Sequence, residues 1–391
     1  MEERTRAYLR GRFRDFYRRS VPDPPPRPAA REWGYIPWTE GPDSTMVRHR
    51  SLHDLGDLES FLVRERPRHI YYSAGYYEDP SAKRMEEKRW QGSDLVFDLD
   101  ADHLPSVTPG EDSYAEMLAT CKDALLRLVD LLETDFGFED LTIAFSGGRG
   151  YHVHVRDEGV MTLEREQRRE IVDYVRGNDV TLESLVEERA VGGRGRKTPT
   201  TQRRLPPDGG WSRRAVTHIA SFVDELLAAE EDDALERLQS FDGVGEKNAK
   251  AILRVVEENT AEVKRGNVDV HPAFLTVARA LIQETVAEEG APIDEPVTTD
   301  THRLIRLPGS LHGGSGLEVV PLEREAVDDF DPLSDAIPDT FRGHEIAVTV
   351  EEPRTLEFDG QSLSVETGNT TLPEYAGIFL MARGAAEKAR E

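Results

Sequence analysis

The chain has 391 residues, a formal charge of −26 from 75 acidic against 49 basic side chains, and a single cysteine, Cys121. That length exceeds one ordinary core, so two or more domains, or one domain with a large insertion, are expected. A mean hydropathy of −0.56 without a long apolar run excludes a transmembrane helix, and one cysteine excludes an intrachain disulfide or a Cys-rich zinc site.

The first twenty residues alternate arginine with apolar and aromatic positions at helical spacing, which predicts an amphipathic helix and not a signal peptide. A cytoplasmic location is expected. VPDPPPRPAA (21–30) breaks that helix as a proline-rich connector. RHIYYSAGYY (68–77) is aromatic and β-branched and predicts a strand, as does the short apolar run DLVFDLD (94–100). Apolar spacing predicts a helix over 114–133, and LTIAFSGGRGYHVHV (141–155) reads as strand, glycine turn, strand. This β–α–β–β order predicts an α/β fold with a mixed sheet, its acids and glycine turn near an open edge.

Residues 161–290 are charged and helical in period, which predicts an inserted, mainly helical subdomain. Its stretch 191–210 is rich in Gly, Pro and Thr and reads as an exposed loop; 189–214 holds eight basic residues and one acid, Asp208. This basic loop at 191–214 is either solvated or a phosphate contact. Strand character resumes at 303–322 and 346–358. The expected domains are therefore 1–160 with 291–360, the insertion at 161–290, and a terminal segment at 361–391.

Three constellations carry chemistry. Asp98 and Asp100 sit two apart in a predicted strand, so both carboxylates project from one face. Such a pair repels unless a cation lies between them, and carboxylates suit Mg²⁺ or Mn²⁺. A DxD pair also occurs in haloacid-dehalogenase-like phosphatases, where Thr or Val would stand at Asp102, and in glycosyltransferases, for which nothing else speaks. In SGGRGYHVHV (146–155), Gly147, Gly148 and Gly150 let the backbone approach an anion, and Arg149 supplies a fork for phosphate oxygens. His152 and His154 share one strand face, and without a third ligand they make an incomplete zinc site; His154 is equally readable as packing. In RLIRLPGSLHGGSG (303–316), Arg306 and His312 flank a second glycine cluster and suggest another anion-contacting edge, with Asp294 or Asp300 upstream as a third carboxylate.

Taken together, these segments resemble the small, catalytic subunit of archaeal and eukaryotic DNA primase. WQGSDLVFDLDADH, FSGGRGYHVHV and VTTDTHRLIRLPGSLHGGSGL resemble its three motifs in family order, and REWGY (31–35) and MVRHRSL (46–52) resemble segments upstream. The resemblance implies the primase catalytic fold and primer synthesis for DNA replication from nucleoside triphosphates on a single-stranded DNA template, by two-metal nucleotidyl transfer. It implies Asp98, Asp100 and Asp294 as catalytic metal ligands for Mg²⁺ or Mn²⁺, with Asp300 the second choice. Ser146, Arg149, His152, Arg306 and His312 would bind the nucleotide, and Glu32 and Arg48 match residues implicated in initiation. It also implies a large primase subunit as heterodimeric partner, and no membrane.

The family's zinc knuckle is not matched, because the interval between the first two motifs holds only Cys121 and His103; no structural zinc is expected. FDGVGEKNAKAIL (241–253) resembles a helix-hairpin-helix that could grip template, or is an ordinary helical hairpin. The acidity would argue against nucleic acid. Yet 8 lysines against 41 arginines resemble the composition of salt-loving archaea, where short-range screening removes the repulsion. The rival readings are an end-joining or repair polymerase of the same superfamily and a non-catalytic nucleic-acid or phosphate-binding protein.

Overall fold

A computed structural model describes residues 1–39, 45–108, 110–191 and 200–390. The chain divides into two compact units: Met1–Leu125 with Phe138–Val172 and Pro292–Glu391, and Leu126–Gly137 with Asp173–Ala291.

The first unit is built on two antiparallel sheets. In one, His69–Tyr77 is central, pairing with Arg31–Ile36 on one side and with Leu304–Arg306 and Trp90–Ser93 on the other; Val47–Arg50 pairs on Arg31–Ile36. In the second, the order is Pro321–Leu322, Leu141–Phe145, Gly150–Val155, Leu95–Asp100. Every described strand pairing is antiparallel, so the expected mixed sheet is absent among the described residues. The reason lies in the helix Tyr114–Thr134, which carries the chain from Leu95–Asp100 to Leu141–Phe145 so that both run in one direction. The strand Gly150–Val155 then returns between them and pairs antiparallel with each. A parallel crossover is present, but its two strands never touch.

The aspartate strand follows from its composition. Leu95, Val96, Phe97 and Leu99 are buried, while Asp98 and Asp100 alternate with Phe97 and Leu99 and retain some exposure. The glycine turn follows from two close approaches. Gly147 has φ +72°, and a Cβ there would lie 2.6 Å from His312 Cβ; at Gly150 it would lie 1.7 Å from the Leu99 carbonyl oxygen.

The terminal segment falls within this unit. Gly368–Pro373 and Ala386–Lys388 both pair with Glu345–Val350, whose alternating burial calls for a partner on either edge, and the apolar helix Glu374–Ala382 packs against that strand.

The second unit is mainly helical. Gly210–Ala228, Glu231–Gln239, Glu246–Val263 and Phe274–Glu289 close around a core that includes Ile219, Phe222, Leu238, Ile252, Val277 and Leu281. Within the stretch 191–210, expected as an exposed loop, Thr200–Arg204 is a strand that pairs with Glu187–Val191 as a hairpin. Paired extended backbone wins there over local composition. Residues 192–199, with Arg194, Arg196 and Lys197 of the basic loop, lie outside the described residues. Of its other arginines, Arg203 pairs with Asp269, Arg204 with Glu262, Arg213 with Asp135, and Arg214 with Asp130, Asp135 and Glu289. Those guanidiniums answer acids of the same unit, and Arg203 and Arg213 remain part-exposed. The segment 241–253 lies across a helical hairpin, with Phe241 and Val244 buried and Gly243 at φ +81°.

Candidate active site

The second sheet carries the aspartate strand and the glycine turn side by side. Asp98 faces His152 and Asp100 faces Gly150 in the strand register. His152 Nε2 stands 3.5 Å from Asp98 Oδ1. Asp294 enters from another part of the chain: its amide donates to the Asp98 carbonyl at 2.9 Å, and the short helix Glu295–Thr299 that follows packs on the aspartate strand.

Electrostatics separates the two candidates for a third carboxylate. Burial pushes the Asp98 carboxyl up to about 6; Arg306 opposes this, and the charges of Asp100 and Asp294 add to it. Asp300 instead acts on Tyr77, Arg168 and His302, and its Oδ1 accepts from the His302 amide at 2.9 Å. Of the two, Asp294 is the one joined to the Asp98 backbone, and its charge adds to that of Asp100 at the Asp98 carboxyl. Among the described residues no three His, Cys, Asp or Glu side chains form a closed metal cluster.

Two adjoining hollows meet at Asp98, His152 and Arg306. One, of about 390 Å³, is lined by Asp98, Asp100, Ser146, Arg149, Arg306 and His312, together with Arg68 and Arg383. The other, of about 350 Å³, takes in Arg48, Tyr71, Asp300, His302 and Arg303.

The polar groups of the first hollow are held by the turn itself. The Ser146 amide donates to Gly150 O at 2.8 Å, and Gly148 N donates to Ser146 Oγ at 3.3 Å. Tyr114 Oη donates to Gly148 O. Arg306 Nη1 donates to Ser146 O at 3.4 Å, and its Nε is buried without a partner. His312 Nδ1 lies 3.0 Å from Ser315 Oγ, and Ser315 Oγ donates to Gly147 O, which ties the second glycine cluster to the first. Burial and the Arg306 charge hold both His152 and His312 well below the usual imidazole range, so both rings are neutral at pH 7. Arg149 is engaged by Asp102 and, more loosely, by Asp100 at 3.7 Å.

His154 turns out to belong to a buried network. Its Nδ1 is 3.1 Å from Asp94 Oδ2, which also receives Arg31 and Arg156, and its ring stacks on Tyr72. Asp94 is fully buried and held far below the usual carboxylate range: burial opposes this, but His154, Arg31 and Arg156 outweigh it. Glu32 is likewise fully buried, accepting from Arg48 Nε at 3.2 Å and the His49 amide at 3.0 Å, with Lys88 Nζ at 3.2 Å. It thereby orients Arg48 at the rim of the second hollow. Cys121 is buried on the long helix with Sγ 3.7 Å from Leu99 O.

Sequence reasoning did not single out Arg68 or Arg383. Arg68 Nε donates to Gly313 O at 3.2 Å, and the Arg383 guanidinium lies 4.8 Å from the rings of both Tyr114 and Phe379. Neither lies in a glycine-rich or acidic pattern; an arginine ending an apolar helix was the only signal for Arg383.

An antiparallel sheet that presents clustered carboxylates across from a glycine–arginine turn defines a phosphate-handling α/β protein. The family model described as DNA primase small subunit matches residues 97–324. A DNA primase small subunit PriS of Halobacterium salinarum is 68% identical over the whole of both chains, and that of Haloarcula marismortui is 62% identical over the same extent. The PriS protein of Methanococcoides burtonii is 41% identical over 99% of each chain. The chain belongs to the DNA primase small subunit family. No described helix is long and apolar enough to cross a membrane.

Proposed function

We propose that these hollows start short RNA or DNA primers from nucleoside triphosphates on a single-stranded DNA template, as a nucleotidyltransferase of DNA replication. The observation that carries the reading is the gathering of Asp98, Asp100 and Asp294 beside Arg306, His152 and the glycine turn, with the Asp98 carboxyl raised there. Carboxylates that raise one another's energy call for a counter-cation, and a set of hard oxygen donors suits Mg²⁺ or Mn²⁺. Asp98, Asp100 and Asp294 would hold it, and when bound it supplies Lewis-acid charge neutralisation for phosphoryl transfer.

The chain's own residues divide the remaining work. Arg306 reaches both hollows, so its guanidinium lies where the triphosphate of an incoming nucleotide and the end of a growing strand would meet. There it neutralises charge that grows in the transition state. Ser146 and the glycine turn offer donors to the phosphates, and Arg149 reaches them by leaving Asp102. Neutral His152 and His312 contribute hydrogen bonds without adding charge. We read the first unit as the primase catalytic fold and the second as its inserted helical subdomain. A large primase subunit is the expected partner, and the Arg-over-Lys acidic surface marks a protein adapted to concentrated salt.

Incubating the chain with unprimed single-stranded template, ribo- or deoxyribonucleotides and Mg²⁺ or Mn²⁺ tests this. Primer synthesis is expected, with loss in Asp98→Ala at unchanged circular dichroism; synthesis retained by Asp98→Ala refutes the site. Extension of supplied primers only marks an end-joining polymerase, and nucleotide binding with no incorporation marks a phosphate-binding protein.

A further inference from the structure

The first helix, Glu3–Tyr17, has one face that the active site leaves unexplained. Leu9, Phe13, Phe16 and Tyr17 are buried, and Arg6 and Arg12 are spoken for: Arg6 by Glu3, Arg12 by Asp15 and Glu374. Arg10, Arg14 and Arg18 remain. They recur every four residues, so they line one side of the helix about one turn apart. The helix packs on Leu58–Glu65, whose C-cap is Arg66 in the left-handed region at φ +50°.

Among the described residues Arg10, Arg18 and Arg66 have no acid within ion-pair distance. Arg14 has only Asp15, at 3.9 Å, which Arg12 already holds at 3.0 Å. The Nε atoms of Arg10, Arg14 and Arg66 are buried with no hydrogen-bond partner. The Arg66 guanidinium is held below its usual value by burial and then by the charges of Arg10, Arg14 and Arg18, with Glu65 opposing. Four like charges therefore converge on a chain that carries −26 overall. Arg14, Arg18 and Arg66 stand at helix C-termini, where the negative end of the helix dipole offsets part of their repulsion.

This face connects to the nucleotide hollow. Two residues beyond Arg66, Arg68 lines that hollow beside His312 and Gly314. Its guanidinium lies 5.6 Å from the Trp38 ring, and Trp38 meets Phe13 of the first helix edge-on at 5.1 Å. Only Pro67 separates Arg66, which feels the row of helix arginines, from Arg68, which lines the hollow.

We infer that Arg10, Arg14, Arg18 and Arg66 form a docking track for the phosphodiester backbone of single-stranded DNA on its way to or from the active site. The inference rests on the hollow being the nucleotide site. Continuity with that hollow favours a nucleic acid over an acidic protein, and guanidinium forks suit phosphate oxygens. Bonds of this short range persist where salt screens the acidic remainder of the surface.

The test is oligo-dT binding by the full chain across a KCl series, followed by fluorescence anisotropy. In the triple variant Arg10→Gln, Arg14→Gln, Arg18→Gln, the slope of log K against log [KCl] is expected to become shallower by ~2, from ~0.7 per phosphate contact on a single strand. Arg66→Gln, on a separate element, is expected to lower it by under one, and keeps the test open if the triple variant does not fold. The triple Arg→Lys variant is expected to recover most of the slope. At saturating template, the nucleotide KM of the triple variant stays at the wild-type value. An unchanged slope in both Gln variants overturns the inference. So does a slope unchanged while assembly with the larger primase subunit is lost, which would make the face a protein contact. Asp98→Asn is expected to bind oligo-dT with the wild-type slope, so a failure of the catalytic reading shows as lost synthesis with an intact slope.

Discussion

Replacing Asp98 by Asn should stabilise the metal-free protein while abolishing its activity. In the fold, burial and then the neighbouring carboxylates Asp100 and Asp294 raise the Asp98 carboxyl from 3.8 to about 6 against the pull of Arg306. A group raised in the folded state carries no penalty below pH ~4, a growing one up to about pH 6 and a constant one above it. At 1.36 kcal/mol per pH unit the ceiling is about 3 kcal/mol. The side chain is 24% exposed, and solvent screening brings the expected gain to ~1–2 kcal/mol. Asn is nearly isosteric and carries no charge, so it recovers that amount above pH 7 and almost nothing near pH ~3. Thermal unfolding in EDTA at both pH values reads this as a Tm higher by ~2–4 °C at the upper pH only. Added Mg²⁺ should raise the wild-type Tm and leave the variant unmoved. A variant no more stable than wild type at pH 7.5, or a gain independent of pH, would refute the picture of a part-buried, mutually repelling carboxylate set.

Three further expectations follow from the same geometry. Asp102→Asn releases the Arg149 guanidinium from its acid, so the nucleotide KM should fall about two- to five-fold, the worth of a part-exposed pair; an unchanged or raised KM counts against Arg149 as a triphosphate ligand. Gly150→Ala places a methyl 1.7 Å from the Leu99 carbonyl, which the pairing of the aspartate strand with the glycine strand does not admit. A loss of more than ~3 kcal/mol is expected on chemical denaturation, and a near-native midpoint would contradict the close approach. Glu318 is raised to about 7 by burial and then by Asp339, so its ionisation costs stability as the pH climbs through 7. Glu318→Gln should add ~2–3 kcal/mol at pH 8 and little below pH 4.5, measured by denaturant midpoints at the two values.

Much of the site was legible because its chemistry is local in sequence. Asp98 and Asp100 are two apart in a strand, and strand periodicity alone puts them on one face. Gly147, Gly148 and Gly150 around Arg149 announce backbone that must pass close to something, and the structure supplies the neighbours: His312 and the Leu99 carbonyl. His154 could not be assigned from its own strand, because its partner Asp94 lies just ahead of the neighbouring strand Leu95–Asp100 and only the pairing of the two strands brings them together. The charge balance of the basic loop was hidden for a related reason. Arg203, Arg204, Arg213 and Arg214 look unbalanced along the chain, but acids 58 to 84 residues away meet them in space.

Sequence by itself determined the class of chemistry, since residue types and their short-range spacing are covalent facts that no packing alters. Tertiary structure brought Asp294 to Asp98, because a hydrogen bond from the Asp294 amide to the Asp98 carbonyl closes 196 residues of chain. It also showed that Arg10, Arg18 and Arg66 meet no acid among the described residues, and Arg14 only Asp15 at 3.9 Å, while Arg10, Arg14 and Arg18 all act on Arg66. Charge is written along the chain, but its neutralisation depends on distance, and distance is set only when the strands and helices have packed.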